Sequence, residues 1–359
     1  MSRGSPRGSF AGIAIALIAA VLVTVVMLVI GSRTPQAAIR AFFFGPFSNT
    51  YYLGNMINGF TVLVLTGLGA ALAFRAGVFN LGGEGQVYIA AVVTAVTANA
   101  VTHASAPVGI ALALTAGVLA AAMTAGLSGL FRFLWDTDEL ITSFLIASAS
   151  IPIIDYMIVG PLNDPASNLL TTPRIPEALR LLRILPPSRL HIGIIAALAV
   201  AALAYFLLFH TVRGYEWRLT GLNIEFARYG GINTGMYILV PMAISGALHG
   251  LAGSFHVLGT HHAALVGFSA GLGWNGLAVA LIGRSHPLGV LPAAMVFAYL
   301  QSGSRTAILH TEFTFELATI IQAVVFFIIT AQHLPSIAPR FTRRIGARLG
   351  IRSNNGGDS

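Results

Sequence analysis

Ten apolar runs follow one another along this chain with little polar sequence between them. They cover residues 10–31, 52–74, 87–103, 107–131, 140–159, 191–210, 236–258, 274–284, 288–304 and 314–332. A helix of about 20 mainly apolar residues crosses the roughly 30 Å hydrocarbon core of a bilayer. A backbone in lipid must satisfy its hydrogen bonds within itself or in a closed barrel, and these runs lack the two-residue alternation of barrel strands. The expected fold is therefore all-α, a polytopic transmembrane bundle of about ten spans. The run 274–284 is short for a full crossing. With 56% hydrophobic and 9% charged residues in 359, the chain has little left for a soluble domain.

The expected organisation is a cytoplasmic N-terminal segment (1–9), a transmembrane domain (10–332) and a basic cytoplasmic tail (333–359). The first run is too long for the apolar core of a signal peptide and is read as a retained helix. All twenty basic residues are arginine. With the N-terminus inside, thirteen arginines fall on the cytoplasmic side, five of them in the tail, against seven outside, mostly in the long segment 160–190. That asymmetry predicts two cytoplasmic termini. The charge of +8 is read as topology, not as a nucleic-acid footprint.

A chain without lysine carries no phosphate-binding Walker loop and no Schiff base. One without cysteine has no disulfide, thiolate nucleophile or cysteine-ligated metal.

Polar interruptions are where function is sought. FNLGGEGQ, Phe79 to Gln86, places three glycines, Asn80, Glu84 and Gln86 at the expected inner end of the second and third spans. Irregular backbone at membrane depth is tolerated only inside protein or beside a water-filled cavity. The segment reads as a path-lining or gating turn, or as an inner loop whose Glu84 is solvated or paired to Arg75. A second interruption, Gly259 to Gly276, falls on the outer side. Paired breaks in two halves suggest an inverted repeat, here spans two to five and seven to ten.

Two catalytic patterns lie in that second break. GFSAG, around Ser269 and near His261 and His262, matches a serine elbow and leaves an intramembrane protease as a remote alternative. GLGWNG matches a dinucleotide fingerprint. Both patterns work at strand-to-helix turns, which an all-helical chain does not supply. Asp155 reads as a solvated or hydrogen-bonded carboxylate or a proton relay. His249 and His256 read as pore-lining or packed, and no metal-ligand set accompanies them. The internal segment 211–235 centres on Asn223 to Tyr229, a short amphipathic helix stopped by Gly230 and Gly231, suited to a partner's groove or to the membrane surface.

Several stretches together resemble the permease subunits of ABC importers in the branched-chain amino acid and simple sugar permease class, most closely its nucleoside-type members. They are FNLGGEGQ, DELITSFL, VGPLND, GLNIEFARYGGIN, SGALHGLAGSF and ALIGRSHPLGVLPAA, in family order over about residues 50 to 330. The resemblance implies a type II importer-like bundle and a non-enzymatic subunit of the bacterial cytoplasmic membrane that translocates nucleosides or related ribosides, with simple sugars such as ribose or galactose as the alternative. It implies a cytoplasmic ABC ATPase, a second permease subunit in a heterodimer, an extracytoplasmic solute-binding protein and surrounding lipid, but no nucleic acid. No cofactor or metal is expected on this chain, since ATP and Mg belong to the ATPase. By resemblance, Asn80, Glu84 and Gln86 belong to the path or its inner gate, and Asp138, Glu139 and Thr142 to the neighbouring gate connection. Gly221, Asn223, Phe226, Ala227, Tyr229 and Gly230 belong to the helix that meets the ATPase. Phe226 stands where related chains tend to have a small residue.

Overall fold

A computed structural model describes residues 6–331; the expected basic tail and the start of the N-terminal segment lie outside the described residues. The helices are α1 (Pro6–Gly31), α2 (Pro35–Phe44), α3 (Thr50–Arg75), α4 (Gly83–Ala100), α5 (Ala106–Trp135), α6 (Glu139–Val159), α7 (Gly193–His210), α8 (Val212–Leu222), α9 (Ile224–Tyr229), α10 (Met236–Phe255), α11 (Leu272–Ile282), α12 (Pro287–His310) and α13 (Phe315–Ala331). Each of the ten apolar runs is a helix. Among the described residues the only β pairings are two isolated bridges, Thr171 with Leu265 and Arg183 with His191. Among the described residues five helices, α3, α5, α6, α7 and α10 with its extension to His261, are long and apolar enough to cross a membrane. At 11 residues, α11 spans only about 16 Å and cannot cross alone.

The chain forms two compact units. In one, residues up to Ile39 and from Thr311, α1 packs on α13 with Gly31 against the Leu317 side chain, and Arg33 and Glu312 form an exposed pair at 3.5 Å.

The other unit, Arg40–His310, is built on crosswise pairing. Helix α3 packs against α11 and α12, while α10 packs against α4 and α5; α4 lies on α5 as α11 lies on α12. The contacts of the triplets α3–α5 and α10–α12 thus mirror one another on exchange of α3 with α10, α4 with α11 and α5 with α12. Small residues allow the closest crossing. A Cβ at Gly246 would sit 2.4 Å from the Ala121 carbonyl oxygen, so α10 and α5 touch backbone to backbone. Such contact lets dispersion and weak polar forces associate helices where the hydrophobic effect gives no drive.

The two ends of this unit are distinct. At one, the segment 160–192 is fastened to the loop after α10 by backbone bonds, Thr172 N–H to Ala264 and Leu181 N–H to Leu258, and buries Ile175 and Leu179 in a core with Ile154, Ile158 and Leu258. At the other, α8 and α9 follow α7, and the end of α3 meets Gly221.

Candidate functional site: a clasp, a cavity and an exposed helix

The glycine-rich segment after α3 does not form a loop at the bundle's end. It turns at Gly77, whose φ of +74° favours glycine, and runs back into the bundle so that α4 starts among other helices. Its backbone is satisfied from α6: Phe79 N–H donates to the Glu139 carboxylate at 3.0 Å and Leu81 N–H to the Ser143 hydroxyl at 3.0 Å. Glu139 is buried and also pairs with Arg132. Asp138 caps α6 by accepting the Leu140 N–H, and Thr142 bonds back to the Asp138 carbonyl. Asn80 and Gln86 are buried and exchange two amide hydrogen bonds of 2.8 and 2.9 Å; Asn80 also donates to Ser245 of α10. In a site without bulk water these bonds replace the ones an unpaired amide would lose.

Glu84 makes the decisive contact. Its carboxylate accepts the N–H groups of Gly271 and Gly273 at 2.9 and 2.8 Å, at the start of α11. Free N–H groups at a helix N-terminus carry partial positive charge, which a carboxylate satisfies. The two glycine-rich breaks, expected on opposite faces, therefore meet, and α4 and α11 begin next to one another. Glu84 is not paired to Arg75, whose guanidinium donates instead to the carbonyls of Ser285 and Arg284. Gly273 permits this approach, because a Cβ there would lie 2.2 Å from the Glu84 nitrogen.

Beside the clasp lies a cavity of about 460 Å³. The N-terminal half of α3 gives it Tyr51, Tyr52, Asn55 and Asn58, the C-terminal half of α12 gives Gln301 and Arg305, and Leu272 and Asn275 come from the α11 turn that Glu84 holds. None of the six residues expected on the path lines this cavity; Glu84 alone is bonded to the α11 start that does. Helix α10 ends in a π turn, His256–His261, and the i to i+5 winding lays His261 over His256, with ring planes 11° apart and centroids at 5.3 Å. Phe268 packs on His256 and on Tyr88. The Asn58 amide donates to Thr260 at 3.1 Å, leaving its buried carbonyl oxygen without a donor.

The cavity residues carry a sequence signal that the glycine motifs overshadowed. Tyr51, Asn55, Asn58 and Val62 recur at helical spacing along one stripe of α3, and Ala298, Gln301, Arg305 and Leu309 do so on α12. A polar stripe on an apolar span is the membrane counterpart of an amphipathic helix facing water.

The remaining sequence candidates fall as follows. Asp155 accepts the Tyr88 hydroxyl, which in turn accepts the Gly267 N–H at 3.0 Å, so it is a hydrogen-bonded carboxylate. His249 is buried and packed between Gly69 and Gly83. Among the described residues no hydrogen bond joins Ser269 to a histidine, and His262 is instead engaged with Arg183 at 3.1 Å. Among the described residues the serine elbow thus lacks both its strand and its base. No group of metal ligands occurs among the described residues.

At the opposite end, Asn223 caps α9 by accepting the Phe226 N–H at 3.0 Å, and Gly230 and Gly231 terminate it. Ala227 is buried, whereas Phe226 and Tyr229 are 61% and 90% exposed. Gly221 faces the other way, with a Cβ there falling 2.1 Å from the Arg75 carbonyl oxygen, so α8 is seated on the end of α3.

The family described as the branched-chain amino acid transport system / permease component matches residues 52–330. The chain belongs to this permease family. The permease is 35% identical over 93% of its length, and 88% of the relative's, to a probable riboflavin import permease protein of Treponema pallidum (strain Nichols). It is 29% identical, with 89% and 92% covered, to a guanosine ABC transporter permease protein of Bacillus subtilis (strain 168). A glucose ABC transporter permease protein of Haloferax volcanii is 28% identical over 88% and 86%. No solved structure gives a significant match to the permease. The helical, membrane-embedded architecture and the family agree with the sequence reading.

Proposed function

We propose that this permease is the membrane-spanning subunit of an ATP-driven importer for flat heteroaromatic compounds bearing a hydroxylated arm, nucleosides or riboflavin-like molecules. The observation that carries the reading is the composition of the cavity. Tyr51, Tyr52, Phe268 and the stacked His256–His261 pair offer ring faces, while Asn55, Asn58, Asn275 and Gln301 offer amides. Aromatic walls gain offset or edge-to-face contact with a planar ring, and a few placed amides select its polar edge and hydroxyls. Relatives bearing riboflavin and guanosine names support the same class.

The proposed mechanism uses the clasp beside the cavity. A partner ATPase docks on the exposed face of α9 and moves α8, whose seat on α3 at Gly221 passes the movement to the Gly77 turn. The segment 78–86 then shifts, and Glu84 releases or regains the start of α11, moving that part of the cavity lining. A chain without lysine has no Walker loop, so ATP and Mg are bound by another polypeptide. A second permease subunit completes the path, an extracytoplasmic binding protein delivers solute, and both termini lie in the cytoplasm. No covalent chemistry is assigned to this chain. A simple-sugar solute is the second reading, supported by the glucose-named relative.

Phe268→Ala and Tyr52→Ala test the solute class. The expected result is a KM for riboflavin or uridine raised about tenfold, the loss of a ring contact worth about 1.4 kcal/mol, with ribose uptake little changed. Equal effects on ribose would favour the sugar reading.

A further inference from the structure

The cavity contains two guanidinium groups and no carboxylate. Arg189 arrives from the segment before α7 and Arg305 from the last turns of α12. Neither side chain has a hydrogen bond or an ion pair with another described residue; only the backbone N–H of Arg189 is engaged, by Asn55 at 3.0 Å. The ion pairs among the described residues lie elsewhere, at Arg33–Glu312, Arg132–Glu139, Arg180–Glu177 and Arg228–Glu225. The charges of Arg189 and Arg305 act on one another, Tyr51 opposes that effect at Arg305, and the histidines beside them add no negative charge.

Both arginines are exposed, and like charges gathered on one concave surface concentrate ions of the opposite sign. A guanidinium fork matches the oxygens of phosphate and carboxylate, and such charge-assisted pairs are about twice as strong as neutral hydrogen bonds. The buried Asn58 carbonyl oxygen adds an acceptor without a donor, suited to a solute hydroxyl. Neutral ring carbonyls would engage the donors of both arginines but leave their charge unbalanced.

We propose that the cavity includes an anion subsite, formed by Arg189 and Arg305, for a phosphate ester or carboxylate carried by the solute. The permease then favours phosphorylated ribosides or ribityl compounds over their neutral parents. This rests on the cavity being the solute path.

The test measures binding to the complete transporter in proteoliposomes. Riboflavin 5′-phosphate is compared with riboflavin by flavin fluorescence, and ribose 5-phosphate with ribose by equilibrium dialysis. The phosphorylated member of each pair is expected to bind about tenfold more tightly at low salt, with the advantage shrinking as salt rises. In Arg189→Gln/Arg305→Gln the ratio is expected to fall to about one. Equal affinities in the unmodified transporter overturn the proposal without recourse to any variant. A ratio that survives in the double variant also overturns it. So does an unchanged ratio with lost capture of the binding protein, which would place the arginines against that partner's acidic groups. If neither flavin binds but ribose 5-phosphate still outbinds ribose, the ring-binding reading fails and the anion subsite stands.

Discussion

The Glu84 carboxylate accepts the Gly273 N–H at 2.8 Å and so joins the start of α4 to the start of α11, residues 189 positions apart in sequence. A glutamine at this position has one acceptor oxygen for two N–H groups and turns its own NH₂ toward one of them. Glu84→Gln is expected to lower stability by about 1.5–3 kcal/mol, the range for hydrogen bonds to a charged group. Thermal unfolding in detergent checks the stability, and uptake is expected to fall with it. Unchanged uptake and unchanged melting would remove the clasp from the account.

Gly273→Ala approaches the same joint from the other side. Its Cβ would fall 2.2 Å from the Glu84 nitrogen and 2.5 Å from the Gly83 carbonyl carbon, both backbone atoms that cannot rotate away. The variant is expected to lose uptake and to melt earlier. Gly126→Ala, whose Cβ would meet only the Ala243 methyl at 3.7 Å, is expected to retain both. Equal tolerance of the two substitutions in a melting series would show that α4 and α11 do not need their close approach.

Most of the fold was legible because bilayer crossing imposes one requirement on the backbone, and the apolar runs meet it. The run 274–284, counted among the ten spans, was recognisably short for a complete crossing, and the short helix at Asn223 to Tyr229 followed from its own turn chemistry. The fold-back at Gly77 was not legible: an extended segment returning into a bundle depends on donors and acceptors from distant helices, here Glu139, Ser143 and Ser245. The cavity escaped for a related reason. The polar stripes that carry Tyr51 and Gln301 are each visible in the sequence, but only the packing of α3 against α12 brings them to one space.

The absence of cysteine makes the exposed face of α9 easy to probe. Tyr229→Cys is expected to react with a membrane-impermeant maleimide only from the side where ATP acts, and to be protected by the ATPase subunit. Tyr229→Arg or Gly230→Pro is expected to abolish uptake while the protein remains in the membrane. Labelling from the outer face would reverse the topology and remove the coupling assignment.

The structure starts α7 at Gly193 and ends the α10 span at His261, so His191 and His262 lie just outside the spans and give a pH signature. Burial pushes His191 and His262 down to about 4, helped at His191 by His262 and at His262 by Arg180 and Arg183. The unfolded chain takes up protons near 6.5, while the folded chain holds these rings neutral. Stability is therefore complete above about pH 6.5, declines as pH falls toward 4, and levels off below it. Melting midpoints recorded from pH 7 to 4.5 are expected to fall, and His191→Gln is expected to flatten the slope. A slope unaltered in that variant would assign the acid sensitivity to other groups.

The most direct measurement is uptake by the complete transporter in proteoliposomes, with labelled riboflavin, uridine and ribose, in the presence and absence of ATP. The expected result is accumulation of a ring-bearing compound that requires ATP and disappears when the ATPase subunit is omitted. Accumulation of ribose alone, or ring-compound uptake that continues without the ATPase, would contradict it.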